Sequence, residues 1–378
     1  MYTAYELMQR RFGPKIKHAT ASMFLITRAL AEGVRVVAIA TVVGVVLGTG
    51  DVWSILIISA LTLVYTFEGG LKAVIWTDVV QLFIYISGTL VTFFVILNRI
   101  PGGWSGVLAN SAHKLVVWNF HFDFQTSYTF WAGILGGAFL NTASHGVDQL
   151  IVQRLLAAKN KNASRIALLG SGLVVFFQFA LFLIVGVMLY SFFLYHPEEA
   201  VPANRDSIFP TFVVRYLPHG ISGLMIAAIF AAAMSNLSSA LNSLASTTVI
   251  DFYRPFFKKE ASAEEQVRIS RWMTVAWGGI LVILAFTMRS VTSVLEAGLT
   301  IASITYGSML GAFLLGVFTK RACERGTILG MACGLGGMLA VWKFNVVSFT
   351  WYVLIGTAIT FIIGYTASLA LAKRQRTD

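Results

Sequence analysis

Between Phe230 and Ser246 the chain reads FAAAMSNLSSALNSLAS. At helical period Ser235, Ser238, Ser239, Asn242 and Ser246 fall on one face, because offsets of three, four, seven and eleven return a side chain to the same side. Neutral oxygens in a row inside hydrocarbon offer a hard monovalent cation a substitute for its water shell without gripping it too tightly. Ala231, Ala232, Ala233, Ala240 and Ala245 fill much of the rest, so the row taken alone also reads as a helix-packing surface. A second stretch, GGLKAVIWTDVVQ at 69–81, favours the ion: Asp78 sits about two turns into an apolar run, where a carboxylate costs several kcal/mol unless it meets a cation.

Both stretches reach a common depth. Asp78 lies roughly 10 Å, at 1.5 Å per residue, from the end of its run at Lys72, and Ser238 and Ser239 lie about as far from the end of theirs near Thr247. If both ends face the same side, one acid and three hydroxyls share one ion.

The elements that must hold these groups are membrane spans. The 378 residues are 57% hydrophobic and 12% charged, with a mean hydropathy of +0.76, a balance foreign to soluble globular domains. Ten runs are long enough to cross a bilayer: 18–48, 52–67, 71–97, 129–151, 166–194, 220–248, 272–289, 291–318, 326–344 and 348–371. All seven prolines fall outside them. With a cytoplasmic amino end, twenty Lys and Arg fall in inside loops and six in outside loops, which by the positive-inside rule puts both termini in the cytoplasm of a cell-membrane protein. The net charge of +11 thus reads as topology, with no nucleic-acid partner. Residues 1–378 read as a single transport domain with a cytoplasmic tail at 372–378. The first 17 residues are polar and basic, unlike a cleavable signal.

Two outside loops exceed turns. Residues 99–127 carry Trp104, Trp118 and several Phe, suited to the membrane interface; 195–220 reads mostly as a solvated connection ahead of a short amphipathic piece, FPTFVVRYL. Cys323 and Cys333 form neither a metal motif nor a disulfide framework, and no paired catalytic acids, Ser-His constellation or HExxH appears, so an enzyme is disfavoured. Arg28, Glu32 and Arg35, spaced three and four apart, read as a mutually neutralising structural group. Asp148, Gln149 and Arg154 read as a charged network closing an inner gate; Gln178, Glu296, Thr300 and Ser303 either line a cavity or simply pack.

At GGLKAVIWTDVVQ (69–81), DQLIVQRLLAAKN (148–160) and AAIFAAAMSNLSSALNSLASTTVIDFYRP (227–255) the chain resembles the sodium:solute symporter family, as it does through TAYELMQRRFG (3–13) and GAFLLGVFTKR (311–321). The resemblance covers nearly the whole chain. It implies an all-α polytopic membrane protein with an inverted-repeat fold of the leucine-transporter type, whose sites lie near the midplane beside broken helices. It also implies that the chain, with about ten transmembrane helices, is amino-terminally truncated, lacking one peripheral and two core helices that relatives carry.

Residue by residue, the resemblance assigns a main sodium site to Ala232, Ser235 and Asn236, the last standing where relatives usually have Ser or Thr. A second sodium falls to Asp78 with Ser235, Ser238 and Ser239. Substrate contacts fall to Asn141, Ser144 and His145, and the absence of a Tyr-Trp gate there weakens a sugar specificity. The implied activity is sodium-coupled import of a small polar organic solute (sugar, monocarboxylate or amino acid) by alternating access, with Na+ as coupling ion and no other cofactor. A solute sensor that does not transport, an inactive fragment of a longer symporter, and an ion conductor are the competing readings.

Overall fold

The computed structural model describes residues 5–68, 71–258, 262–291 and 293–374. Gly69 and Gly70 of the first motif and residues 375–378 of the tail lie outside the described residues, as do the side chains of 71–77, Lys72 included.

Every described element is helical. A short α1 (Tyr5–Phe12) leads into α2 (Pro14–Leu47), and α3 (Asp51–Glu68) and α4 (Leu71–Arg99) follow. Pro14 opens α2, where a missing N–H costs nothing. Gly13 before it adopts φ 123° and lies so close to Glu324 that an added Cβ would stand 2.7 Å from Oε1. Gly48, left-handed at φ 65°, ends α2 and turns the chain back into α3.

The loop after α4 holds α5 (Trp104–Ser111) and then an extended aromatic strap tied to the helices beneath it. Phe130 N donates to Asn119 O, Trp131 Nε1 to Phe120 O and Ser348 N to Phe124 O. Beyond come a π-helical turn at Ala132–Gly136, α6 (Gly137–Gly146), α7 (Gln149–Leu156) and the long α8 (Lys161–Tyr195). Asn160 caps α8, its side chain accepting from Ala163 N at 2.8 Å. Ile166, Leu169, Leu173, Phe176 and Phe177 on α8 are exposed, as a lipid-facing surface requires.

The remaining helices are α9 (Ile208–Tyr216), α10 (His219–Thr247) with a π-helical extension at Thr248–Tyr253, α11 (Arg254–Phe256), α12 (Ala263–Met288), α13 (Val294–Phe318), α14 (Glu324–Lys343) and α15 (Tyr352–Arg374). The last three pack through small residues: a Cβ on Gly330 of α14 would meet Thr360 O of α15 at 2.5 Å.

Among the described residues eight helices are long and apolar enough to cross a membrane. The run at 52–67 is helical throughout as α3 (Asp51–Glu68), whose described apolar part is Asp51–Val64. The run at 129–151 is not one helix. Val147 (φ −125°, ψ −15°) and the extended Asp148 (φ −78°, ψ 117°) interrupt it, and Asp148 caps a new helix by accepting from Leu150 N. The amphipathic piece is also less solvated than its sequence suggests: Phe212 and Val213 of α9 are fully buried against Phe192 of α8 and Met225 of α10. Its aromatic side chains reach a core that a hydropathy pattern cannot locate.

Candidate ion and solute site

Helix α10 carries the site. Its first half is apolar and its second half is studded with hydroxyls, of which Ser235, Ser238 and Ser239 are each 1% exposed. Buried serines are tolerated in a helix where their oxygens find partners off the helix or bond back to it. Ser235 does the former, donating to Asp78 Oδ1 of α4. The expected meeting of the acid with the serine row is thus present at Ser235.

The other oxygen of Asp78 faces a cation supplied by the chain itself. Arg154 Nη2 of α7 lies 3.4 Å from Asp78 Oδ2 and donates to Ser239 Oγ at 2.9 Å. Asp78 and Arg154 are each about one-third exposed, which leaves water access to the pair. One residue earlier, Gln153 Nε2 donates to Ser243 Oγ at 2.9 Å.

Of the six residues assigned to sodium, Asp78 belongs to α4 and the other five divide between two faces of α10. Ala232 and Asn236, four apart, line a cavity of about 1110 Å³ bounded by α2, α4, α6, α8, α10 and α13. Ser235 points instead at Asp78, with Ser239 held beside it through Arg154. Ser238 is buried near that second face. The arrangement offers two oxygen-bearing locations about one residue's rotation apart on a single helix.

Asn141 and Ser144 of α6 line the same cavity, and His145 is not among its lining residues. His145 Nδ1 lies 2.9 Å from Ser144 Oγ and 3.0 Å from Asn141 O, so one ring nitrogen is engaged by its own helix. Asn141 Nδ2 donates to Gly137 O at 3.0 Å, which leaves its carbonyl oxygen for a ligand. Gln178 and Tyr85 lie on other walls of the cavity.

The charged residues of the α6–α7 break sort differently from their order in sequence. Asp148 is 2% exposed and belongs to a group with α2 and α13: Arg28 Nη1 stands 3.4 Å from its Oδ2, and Tyr306 donates to the same oxygen. Arg28 also meets Glu32 at 2.7 Å, and Arg35 donates to that same Glu32 oxygen. The single inner network expected of Asp148, Gln149 and Arg154 is therefore two: Asp148 holds the break, and Arg154 reaches the ion-site acid. Six residues along α7, on a helix redirected by the break, separate them. Arg28, Glu32 and Arg35 do neutralise one another, with Asp148 and Tyr306 as further members. Tyr306 was invisible in sequence, one tyrosine in a helix whose polar residues gave no sign of a partner.

Among the described residues no group of three or more His, Cys, Asp or Glu is arranged to hold a metal ion of the coordinated kind. What the site presents is one carboxylate, several neutral oxygens and an adjoining cavity. That set suits a weakly held monovalent cation and an organic solute.

The chain belongs to the sodium:solute symporter family, whose model matches residues 1–334. It is 29% identical to the sodium/sialic acid symporter NanT of Aliivibrio fischeri, over all of this chain and 75% of that protein. It is 28% identical to the human sodium-coupled monocarboxylate transporter 1, over 90% of this chain and 56% of that one. The human sodium/iodide cotransporter is 29% identical over 90% of this chain and 53% of its own length. Among solved structures, a Na+-coupled sialic acid symporter in a substrate-bound outward-open state superposes with a TM-score of 0.85 at 27% identity, covering 97% of this chain and 77% of that chain. The protein is a multi-pass membrane transporter of the leucine-transporter type, with Na+ as its coupling ion, and not an enzyme.

Proposed function

We propose that this chain imports a small polar organic solute with Na+ by alternating access, and that Asp78, Ser235, Ser238 and Ser239 hold one Na+ while Ala232, Ser235 and Asn236 contribute to a second. The observation that carries the reading is the contact between Asp78 of α4 and Ser235 of α10, an intramembrane acid brought to a hydroxyl row. Asn141 and Ser144 contact the solute from α6, and His145, outside the cavity lining, positions Ser144 through its Nδ1 at 2.9 Å from Ser144 Oγ. A carboxylate-bearing solute is the favoured class, since the relatives named for sialic acid and monocarboxylates carry such substrates and Arg35, 40% exposed, lines the cavity. Both termini are cytoplasmic, on the strength of twenty basic residues in the inside loops against six outside. Residues 1–378 act as one transport domain, with 372–378 as its tail. Each Na+ that enters adds roughly 2.3 kcal/mol per 100 mV to the driving force, and a carboxylate on the solute offsets the charge of one such ion.

The test is uptake of labelled sialic acid, monocarboxylates, sugars and amino acids into proteoliposomes under an inward Na+ gradient, beside Asp78→Asn and Ser235→Ala. The reading expects Na+-dependent accumulation that both variants lose. Solute that binds and is never accumulated would mark the chain as a sensor, and Na+ current without solute would mark it as a conductor.

A further inference from the structure

Below the Asp78 contact, α10 and its π-helical extension carry oxygens at strict intervals of four: Ser235, Ser239, Ser243 and Thr247 on the helix, then Asp251 on the extension. None is more than 1% exposed. Residues four apart on a helix are neighbours, so these side chains form one continuous row, inclined across the helix as i+4 rows are. From Ser235 to Thr247 it extends about 18 Å at 1.5 Å per residue, and Asp251 follows on the π-helical extension. It runs from the acid of the ion site to a second acid, Asp251, whose Oδ1 lies 3.0 Å from Lys17 Nζ of α2.

Packing does not account for this row. Thr247 Oγ1 is fully buried and finds no hydrogen-bond partner, a costly condition that an apolar residue of the same shape would avoid. The two hydroxyls above it are occupied by donors from α7: Arg154 Nη2 on Ser239 and Gln153 Nε2 on Ser243, each at 2.9 Å. An N–H on a hydroxyl oxygen takes up the acceptor capacity that a cation would use, and the guanidinium adds repulsion. In this structure α7 therefore shuts the row. It is also the element best suited to open it, being a helix of eight residues that begins at the Val147–Asp148 break.

We propose that Ser239, Ser243, Thr247 and Asp251 form the route by which the coupling ion leaves Asp78 toward the Lys17 end of α10, and that α7 plugs this route through Gln153 and Arg154. The inference rests on the reading that Asp78 and Ser235 bind Na+. Release requires α7 to withdraw its two donors, whereupon each freed hydroxyl offers the ion an oxygen one helical turn further on. Lys17 covers Asp251 at the exit and must yield it to the passing ion. A route residue lowers a barrier crossed in both directions, so it changes the rate of ion passage and leaves equilibrium affinity alone.

Two measurements on the purified full chain separate the alternatives: equilibrium binding of 22Na+, and 22Na+ exchange across proteoliposomes. Thr247→Val, which keeps the shape and removes the oxygen, is expected to slow exchange roughly five- to tenfold with parental affinity. Gln153→Ala, which frees Ser243, is expected to accelerate exchange at the same affinity, a gain that misfolding cannot produce. Parental exchange in Thr247→Val, exchange that falls only in proportion to lost binding, unchanged exchange in Gln153→Ala, or a parent that binds 22Na+ and exchanges none would each overturn the route. A parent that binds no 22Na+, or an Asp78→Asn variant that binds it as the parent does, would instead overturn the ion-site reading beneath it.

Discussion

Arg154 and Asp78 form an ion pair across α7 and α4, Nη2 to Oδ2 at 3.4 Å, while the other carboxylate oxygen accepts from Ser235. If Asp78 also takes a mobile cation, as proposed, this fixed guanidinium is its competitor. Na+ at Asp78 then weakens the pair, and weakening the pair loosens α7. On that assignment ion occupancy and the position of α7 are linked, and the linkage is reciprocal.

Arg154→Gln removes the competitor and keeps a donor for Ser239. Because both side chains are about one-third exposed, the pair is worth at most about 1 kcal/mol, and the half-saturating Na+ concentration should fall by up to about fivefold. Titration of 22Na+ binding on the variant checks this. A rise instead of a fall would mean that Arg154 builds the ion site rather than competing for it.

The contact between Asp78 and the serine row was legible in sequence to the extent that cost is legible. Asp78 in an apolar run and the serines of α10 each stand out because burial penalises them, and the structure joins the acid to Ser235. By sequence Arg154 reads into a gate network with Asp148 and Gln149 and not toward Asp78, because its aim depends on the direction of α7, which the break at Val147–Asp148 sets. The signal for that break was present: Gly146 followed two residues later by a capping Asp inside an apolar run. Tyr306 left no such trace. Its partner Asp148 lies 158 residues away, and only the packing of α13 against α2 and α6 brings them together.

Asp148 joins three elements at that break. It caps α7 through Leu150 N, takes Arg28 of α2 at 3.4 Å and accepts from Tyr306 of α13. Asp148→Asn keeps a capping oxygen and removes the charge that Arg28 faces. Turnover should fall roughly tenfold, about 1.4 kcal/mol on the barrier, while solute affinity changes little. Uptake kinetics beside equilibrium binding decide it, and an unchanged maximal rate would remove Asp148 from the gating step. Tyr306→Phe loses one hydrogen bond to a charged group and should cost about 1.5–3 kcal/mol of stability.

At the opposite end of α13, Tyr128 of the aromatic strap donates to Glu296 Oε1 at 2.9 Å. Partial desolvation of the phenol, in a side chain that stays 65% exposed, and then this bond to a carboxylate push Tyr128 up to about 12 from its ordinary value of 10.0. A pKa raised on folding contributes stability that is complete below about pH 10 and lost as pH rises through about 12. Tyr128→Phe should therefore unfold at a slightly lower temperature than the parent up to about pH 9, with the difference shrinking toward about pH 11. Thermal melts of the detergent-solubilised pair across that range check it. A difference that persists unchanged at high pH would assign the effect to packing rather than to the proton.

Lys17 and Asp251 tie the start of α2 to the extension of α10, Nζ to Oδ1 at 3.0 Å, with side-chain exposures of 9% and 0%. Removing one partner of such a pair takes the counter-ion from the other charge where water reaches it poorly, and costs about 3–5 kcal/mol. Lys17→Met and Asp251→Leu should each lower the melting temperature sharply. The double variant should recover most of the loss, since two apolar side chains of similar volume replace the pair without leaving a bare charge. The ion route makes the transport outcome different. With Asp251 gone the double variant lacks the last oxygen of the row, so it should melt near the parent temperature and still exchange 22Na+ slowly. Recovery of stability and exchange together would show that the pair only holds the helices in register.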